Sequence, residues 1–218
     1  MKHAARGVTL IELMVVIVSV MLLACILFNI NPFAKRRYAN QVRCVNNLKQ
    51  LVTSCHIYSD VATNNGVFPT DGMPAGVGNL DSLNLLFDQY AADYKMFSCV
   101  ETPRPSLKQL KPATKISEAN LSRSMTSYGY DKTHGPTHPS SIVLADFSSN
   151  PVVNSTNHGL SPSGTGAGQY VADAGGSGRF MSTPSFIQSQ QANGQPGLTD
   201  NIFEPDPALG ALDSYIGL

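Results

Sequence analysis

The chain has 218 residues, with 15 basic against 15 acidic side chains and a charged fraction of only 14%. A neutral balance without a basic stripe excludes the electrostatic footprint of a nucleic-acid-binding protein. Beyond the first 60 residues roughly 155 remain, which is one ordinary domain with enough chain to bury a core.

The first predicted element is a run of 23 residues, 8–30, in which Glu12 is the single charged residue. As a helix rising ~1.5 Å per residue it would reach roughly 35 Å, enough to cross a bilayer. Lys2, His3 and Arg6 precede it, and Gly7 stands at its edge. A secretory signal peptide would have a shorter apolar core with the small-x-small cleavage site after it; here the small residue comes first. Glu12 needs its own explanation. A carboxylate at membrane depth is costly without a partner, so a helix serving only as an anchor would be better without it.

The segment GVTLIELMVVIVSVMLLA after a short basic leader resembles the N-terminal motif of type IV prepilins. The resemblance implies that a prepilin peptidase cuts between Gly7 and Val8 and that the new Val8 amine is methylated. It also implies that the helix first anchors the subunit in lipid and later forms the core of a filament. Glu12 is then the fifth residue of the mature chain, suited to neutralising the Val8 amine of a neighbouring subunit. Val8 departs from the family, which more often has an aromatic residue or Met there.

Next, Asn29-Ile30-Asn31-Pro32 combines weak helix formers with a residue that has no backbone donor, and predicts a kink near Pro32. Lys35, Arg36 and Arg37 follow, a cluster that runs against a simple positive-inside pattern. From Tyr38 to about Asp60, Val42, Val45, Leu48, Val52 and Cys55 recur at helical spacing, with polar residues between them. This half is amphipathic and is predicted to pack on the globular domain; the apolar half packs on lipid and later on other helices.

In the remainder, Asn64-Asn65-Gly66 and Asp71-Gly72 predict turns, 81–91 a short helix, and 95–100 an extended segment. Strands are predicted at 126–130, 141–147, 169–174 and 178–182, the last two as a hairpin through Gly175-Gly176-Ser177. The tail with Pro205 and Pro207 reads as irregular. A long helix followed by short strands implies an α+β domain, an antiparallel sheet packed on the helix. A second resemblance runs through RCVNNLKQL, YSDVATNNGVFP, SYGYD, IVLADF and NHG to QYVADAGGSGRF: these look like the prepilin-type family related to the major pseudopilins of type II secretion. The last pair resembles that family's histidine-x9-Asp-Gly element. Here 14 residues separate His158 from Asp173, and Ala174 stands where the family has glycine.

Four constellations bear on chemistry. His134 and His138 are four apart, but Pro136 and Pro139 exclude the helix that would aim them together, so the segment reads as a loop. Asp146 and His158 with one of many serines would make a triad, yet no Gly-x-Ser-x-Gly supports it. Asp200, Glu204 and Asp206 carry the oxygen donors that calcium takes, and major pseudopilins resembling this chain hold calcium in a C-terminal loop. Without an Asp-x-Asp-x-Asp-Gly loop no ligands are assigned, and no metal or other cofactor is expected. Among the cysteines no CxxC occurs; Cys25 lies in the apolar run, and Cys44, Cys55 and Cys99 read as free buried thiols, with a disulfide from Cys99 to Cys44 or Cys55 as the alternative.

Together these readings describe a non-enzymatic, pilin-like subunit of a type II secretion pseudopilus or type IV pilus-like filament. Its parts are a leader (1–7), a transmembrane and assembly helix (8–31), the amphipathic half of the helix (32–60) and an α+β head (61–218). Its expected partners are other copies of itself, other pilins or pseudopilins, the prepilin peptidase, the inner-membrane assembly platform and membrane lipid. Its expected place is the bacterial inner membrane with the head outside the cytoplasm. The alternative is a membrane-anchored exported enzyme or binding domain that uses 8–30 only as an anchor.

Overall fold

The computed structural model describes residues 7–28, 32–70, 79–102, 105–147, 155, 157–158, 166–183, 185–187 and 199–201. The chain divides into two compact units, Met1–Ala39 and Asn40–Leu218. The first unit contains α1 (Leu10–Phe28) and the start of α2 (Pro32–Ser59). Pro32 is the first residue of α2, where a missing N–H costs no hydrogen bond and the fixed φ suits the helix. The helix therefore resumes at Pro32 and not at Tyr38, while the expected kink involves residues 29–31, outside the described residues. The 19 residues of α1 rise roughly 28 Å. No described helix is long and apolar enough to cross a membrane; the predicted span continued to Ile30, also outside the described residues.

The second unit is α+β. Strands β1 (Tyr128–Tyr130), β2 (Ile142–Asp146), β3 (Gln169–Asp173) and β4 (Gly178–Met181) form an antiparallel sheet in sequential order. All four fall inside the predicted strand segments, and β3–β4 is the predicted hairpin, with Tyr170 opposite Phe180. A second, two-stranded ladder pairs β5 (Ser185–Ile187) with β6 (Thr199–Asn201), where the sequence suggested an irregular tail.

Helix α2 supplies one side of the core. Cys44, Leu48, Leu51, Val52 and Cys55 are buried and join Tyr128, Tyr130, Leu144 and Ala172 of the sheet in one cluster. Their spacing of three and four is that of a single helix stripe. The stripe starts at Cys44; Val42, expected on it, is exposed and Val45 half-buried. Ile142, Ala145, Val171 and Met181 form a separate buried cluster, as the alternation of side chains along a strand requires. The register shift between Ile142 and Leu144 is where that alternation breaks, and Val143 and Leu144 both belong to the helix-side cluster. Two polar ties lock the packing: His56 Nε2 donates to the Ala174 carbonyl at 2.7 Å, and the Tyr130 hydroxyl donates to the Pro69 carbonyl at 3.0 Å.

Two local expectations are corrected. The helix predicted at 81–91 is only α3 (Asn79–Asn84). Asp88 adopts φ 73°, in the left-handed region, and its N–H donates to the Ala91 carbonyl, so the chain turns instead of continuing. The segment expected to be extended holds a 3₁₀ turn, Tyr94–Phe97, capped by the Asp93 side chain, which accepts from the Lys95 N–H at 2.9 Å.

Candidate functional site

The N-terminal motif is built from one reciprocal set of hydrogen bonds. The Glu12 N–H donates to Thr9 Oγ1 at 3.3 Å, while Glu12 Oε2 accepts from both the Thr9 N–H and hydroxyl at 2.8 Å. This is a capping box: Thr-x-x-Glu satisfies backbone donors that the first turn of a helix leaves open. The spacing is legible in the sequence, but hydropathy alone draws attention to the acid and not to Thr9. Glu12 therefore has hydrogen-bond partners within its own chain.

Gly7 and Val8 lie ahead of the box. Among the described residues, no atom outside Gly7 and its chain neighbours stands within 4 Å of where a Cβ on Gly7 would be, and Val8 is 75% exposed. Along α1 every described side chain is exposed except Ala24, which is half-buried. The Ser19 hydroxyl is satisfied within the helix by the Val16 carbonyl at 2.8 Å. A helix apolar on all sides needs an apolar surrounding, either lipid or other helices.

The second unit holds a buried ionic cluster around His158. Its Nδ1 lies 2.7 Å from Glu101 Oε2 and its Nε2 2.7 Å from Asp146 Oδ2. Asp146, at the end of β2, is fully buried and also accepts from the Tyr170 N–H at 2.8 Å and from Asn157 Nδ2 at 3.2 Å. Asn157 donates as well to the Ser127 carbonyl, and its own oxygen accepts from the Thr102 hydroxyl. The Tyr170 ring meets the imidazole edge to face at 4.8 Å. Burial works against charge on His158 and is the largest single influence, but hydrogen bonds and charge from Asp146, then from Glu101, outweigh it and hold the imidazole above its ordinary value. Each ring nitrogen of His158 is thus engaged by a carboxylate, which favours the charged imidazole.

This arrangement sorts the sequence candidates. Asp146 and His158 do come together, as a triad would require. Each ring nitrogen faces a carboxylate, Glu101 at Nδ1 and Asp146 at Nε2, which is not the acid–imidazole–serine order of a triad. His158 and Asp173 are not a unit. Asp173 instead closes the β3–β4 turn, accepting from the Ser177 N–H at 2.8 Å and from the Arg179 guanidinium at 3.3 Å. Cys44 is bonded to Cys99 with a Cα–Cα distance of 5.0 Å, which corrects the expectation of free thiols at these two positions. Cys55 is a buried thiol outside the disulfide, and burial pushes it well above the ordinary thiol range, leaving it unreactive.

His134 lies in a loop, as expected, yet its side chain is not solvated. It is buried, with Nδ1 2.6 Å from Asp131 Oδ2, and its ring meets that of His138 edge to face. Both line a cleft of about 300 Å³ together with Phe68, Thr70 and Lys132. Of the acids considered for calcium, Glu204 and Asp206 lie outside the described residues, as does the side chain of Asp200.

Sequence reasoning missed Glu101 altogether, because a carboxylate 57 residues from its histidine leaves no local pattern. No family model, characterised protein or solved structure matches the chain.

Proposed function

We propose that this chain is a pilin-like structural subunit: a precursor trimmed between Gly7 and Val8, methylated on Val8, and polymerised through its N-terminal helix into a pseudopilus or pilus-like filament. The observation that carries this reading is an apolar helix whose described side chains are all exposed but for half-buried Ala24, with Glu12 the fifth residue of the expected mature chain. An apolar helix needs a covering, and an acid at its start fits a covering made of other subunits better than lipid alone. In the filament Glu12 would keep its bonds to Thr9 and face the Val8 amine of a neighbour. The head would be displayed outside the cytoplasm, and the membrane would hold the subunit before assembly. The doubly engaged His158 supports a structural and not an enzymatic head.

The capping box makes this testable in a way that deletion of the acid alone does not. Glutamine preserves a capping box but carries no charge. Glu12→Gln should therefore leave the helix start intact and still abolish filaments or secretion, with the subunit remaining in the membrane fraction. Wild-type assembly of Glu12→Gln would reduce Glu12 to a cap and favour a membrane-anchored exported domain. In parallel, mass spectrometry of the mature chain should find N-methylated Val8 at the terminus; an intact Met1 or a cut near residue 30 would overturn the reading.

A further inference from the structure

The Cys44–Cys99 disulfide lies directly beside His158. Cys99 Sγ is 3.9 Å from His158 Nε2, and the donor atoms of Cys44, Cys99 and His158 all lie within 4.8 Å of one another, in the buried interior. We propose that, when this disulfide is reduced, Cys44, Cys99 and His158 bind a thiophilic divalent cation, zinc by class, so that the same two cysteines serve as a covalent link in one redox state and as metal ligands in the other.

The geometry needs little adjustment. With Zn–S near 2.3 Å and Zn–N near 2.0–2.1 Å, tetrahedral coordination places sulfur and nitrogen about 3.6 Å apart and two sulfurs about 3.8 Å apart. The observed 3.9 Å from Cys99 Sγ to His158 Nε2 is already close to the first value. Breaking the disulfide leaves the two sulfurs free to reach the second. The surroundings of the histidine match those of a zinc ligand. A metal-bound imidazole donates its other N–H to a carboxylate, which fixes the ring and raises its basicity; here Nδ1 meets Glu101 at 2.7 Å, leaving Nε2 on the side of the sulfurs. Asp146 Oδ2, 2.7 Å from Nε2, is the nearest donor for a fourth position.

The steps balance. A dithiol reductant supplies two electrons and two protons, the S–S bond breaks, two thiols form, and the reductant leaves as its own disulfide. The cation then displaces both thiol protons and the proton shared between Nε2 and Asp146, and these three protons pass to solvent. In the disulfide state that proton lies in the 2.7 Å contact between Nε2 and Asp146, so the proton and the cation are alternative occupants of one position. The inference concerns the head alone and does not rest on the filament reading.

The test uses the full chain in detergent micelles, reduced with a dithiol, desalted without oxygen, and offered zinc or cobalt(II). The expected result is one zinc per reduced chain by elemental analysis, a thiolate-to-cobalt charge-transfer band, and neither in the oxidised chain. Cys44→Ser/Cys99→Ser should abolish uptake. Glu101→Gln, which leaves every ligand in place, should weaken binding about 10–100-fold. Equal uptake by reduced and oxidised chains, or one zinc per chain in the double serine variant, would overturn the proposal. Should the serine variant not fold, an unchanged affinity in Glu101→Gln would overturn it instead.

Discussion

Removing the disulfide should destabilise the head by an amount that follows from its position in the chain. Cys44 and Cys99 are 55 residues apart, both fully buried, and join α2 to the segment that carries Glu101. In the chain-entropy account, a cross-link closing a loop of that size stabilises by about 4 kcal/mol through its restriction of the unfolded state. Against a total of roughly 5–15 kcal/mol for a domain, that is a large share. The measurement is urea unfolding of Cys44→Ala/Cys99→Ala beside the oxidised wild type, with a metal chelator present so that no cation substitutes for the bond. At a slope of about 2 kcal/mol per molar, the midpoint should fall by about 2 M. The slope itself should rise, because an unfolded chain freed of its cross-link exposes more surface. A loss under about 1 kcal/mol with an unchanged slope would show that the link does not constrain the unfolded chain, and the reasoning would fail.

Other outcomes follow from the same structure. Asp146→Ala should cost about 3–5 kcal/mol in urea unfolding, because it leaves the buried His158 with one carboxylate and strips the Tyr170 N–H of its acceptor. Because His158 is held above its ordinary value, its contribution to stability should be fully present below about pH 6.5 and be lost as pH rises through the raised folded value; a pH series of unfolding midpoints, flat in His158→Gln, checks the sign. Gly168→Ala should destabilise by about 2 kcal/mol or more, since position 168 has φ 146° and a Cβ there would stand 2.5 Å from the Met181 carbonyl oxygen. A thermal midpoint unchanged from wild type would refute that.

What could be read from the sequence was what local periodicity encodes. The four strands of the main sheet declared themselves through β-branched and aromatic runs between turn residues, and α2 through a stripe repeating every three or four positions. The start of α2 at Pro32 was legible too, had proline been weighed as a helix opener and not only as a breaker. The predicted helix stops at Asn84, and Asp88 turns left-handed to reach the Ala91 carbonyl three residues on, a local turn that the apolar spacing of 81–91 does not announce. The cluster around His158 was the least legible part, since Glu101, Asp146 and His158 come from three separate segments and meet only after the sheet has formed. The capping box lay in plain view as Thr-x-x-Glu, yet a search for membrane anchors weighs the acid by its cost and overlooks the hydroxyl three residues before it.

One consequence concerns mechanical load. Among the described side chains of α2, Cys44 is the first buried one met from its N-terminal end. A pull on the chain ahead of that point would otherwise peel the helix off the sheet one side chain at a time, breaking Leu48, Leu51 and Val52 free in sequence. The sulfur link stands at the tip of that seam, so the first step of peeling would have to break a covalent bond. Tension is thereby passed into the segment at Cys99, and the noncovalent contacts behind the link are shielded from it.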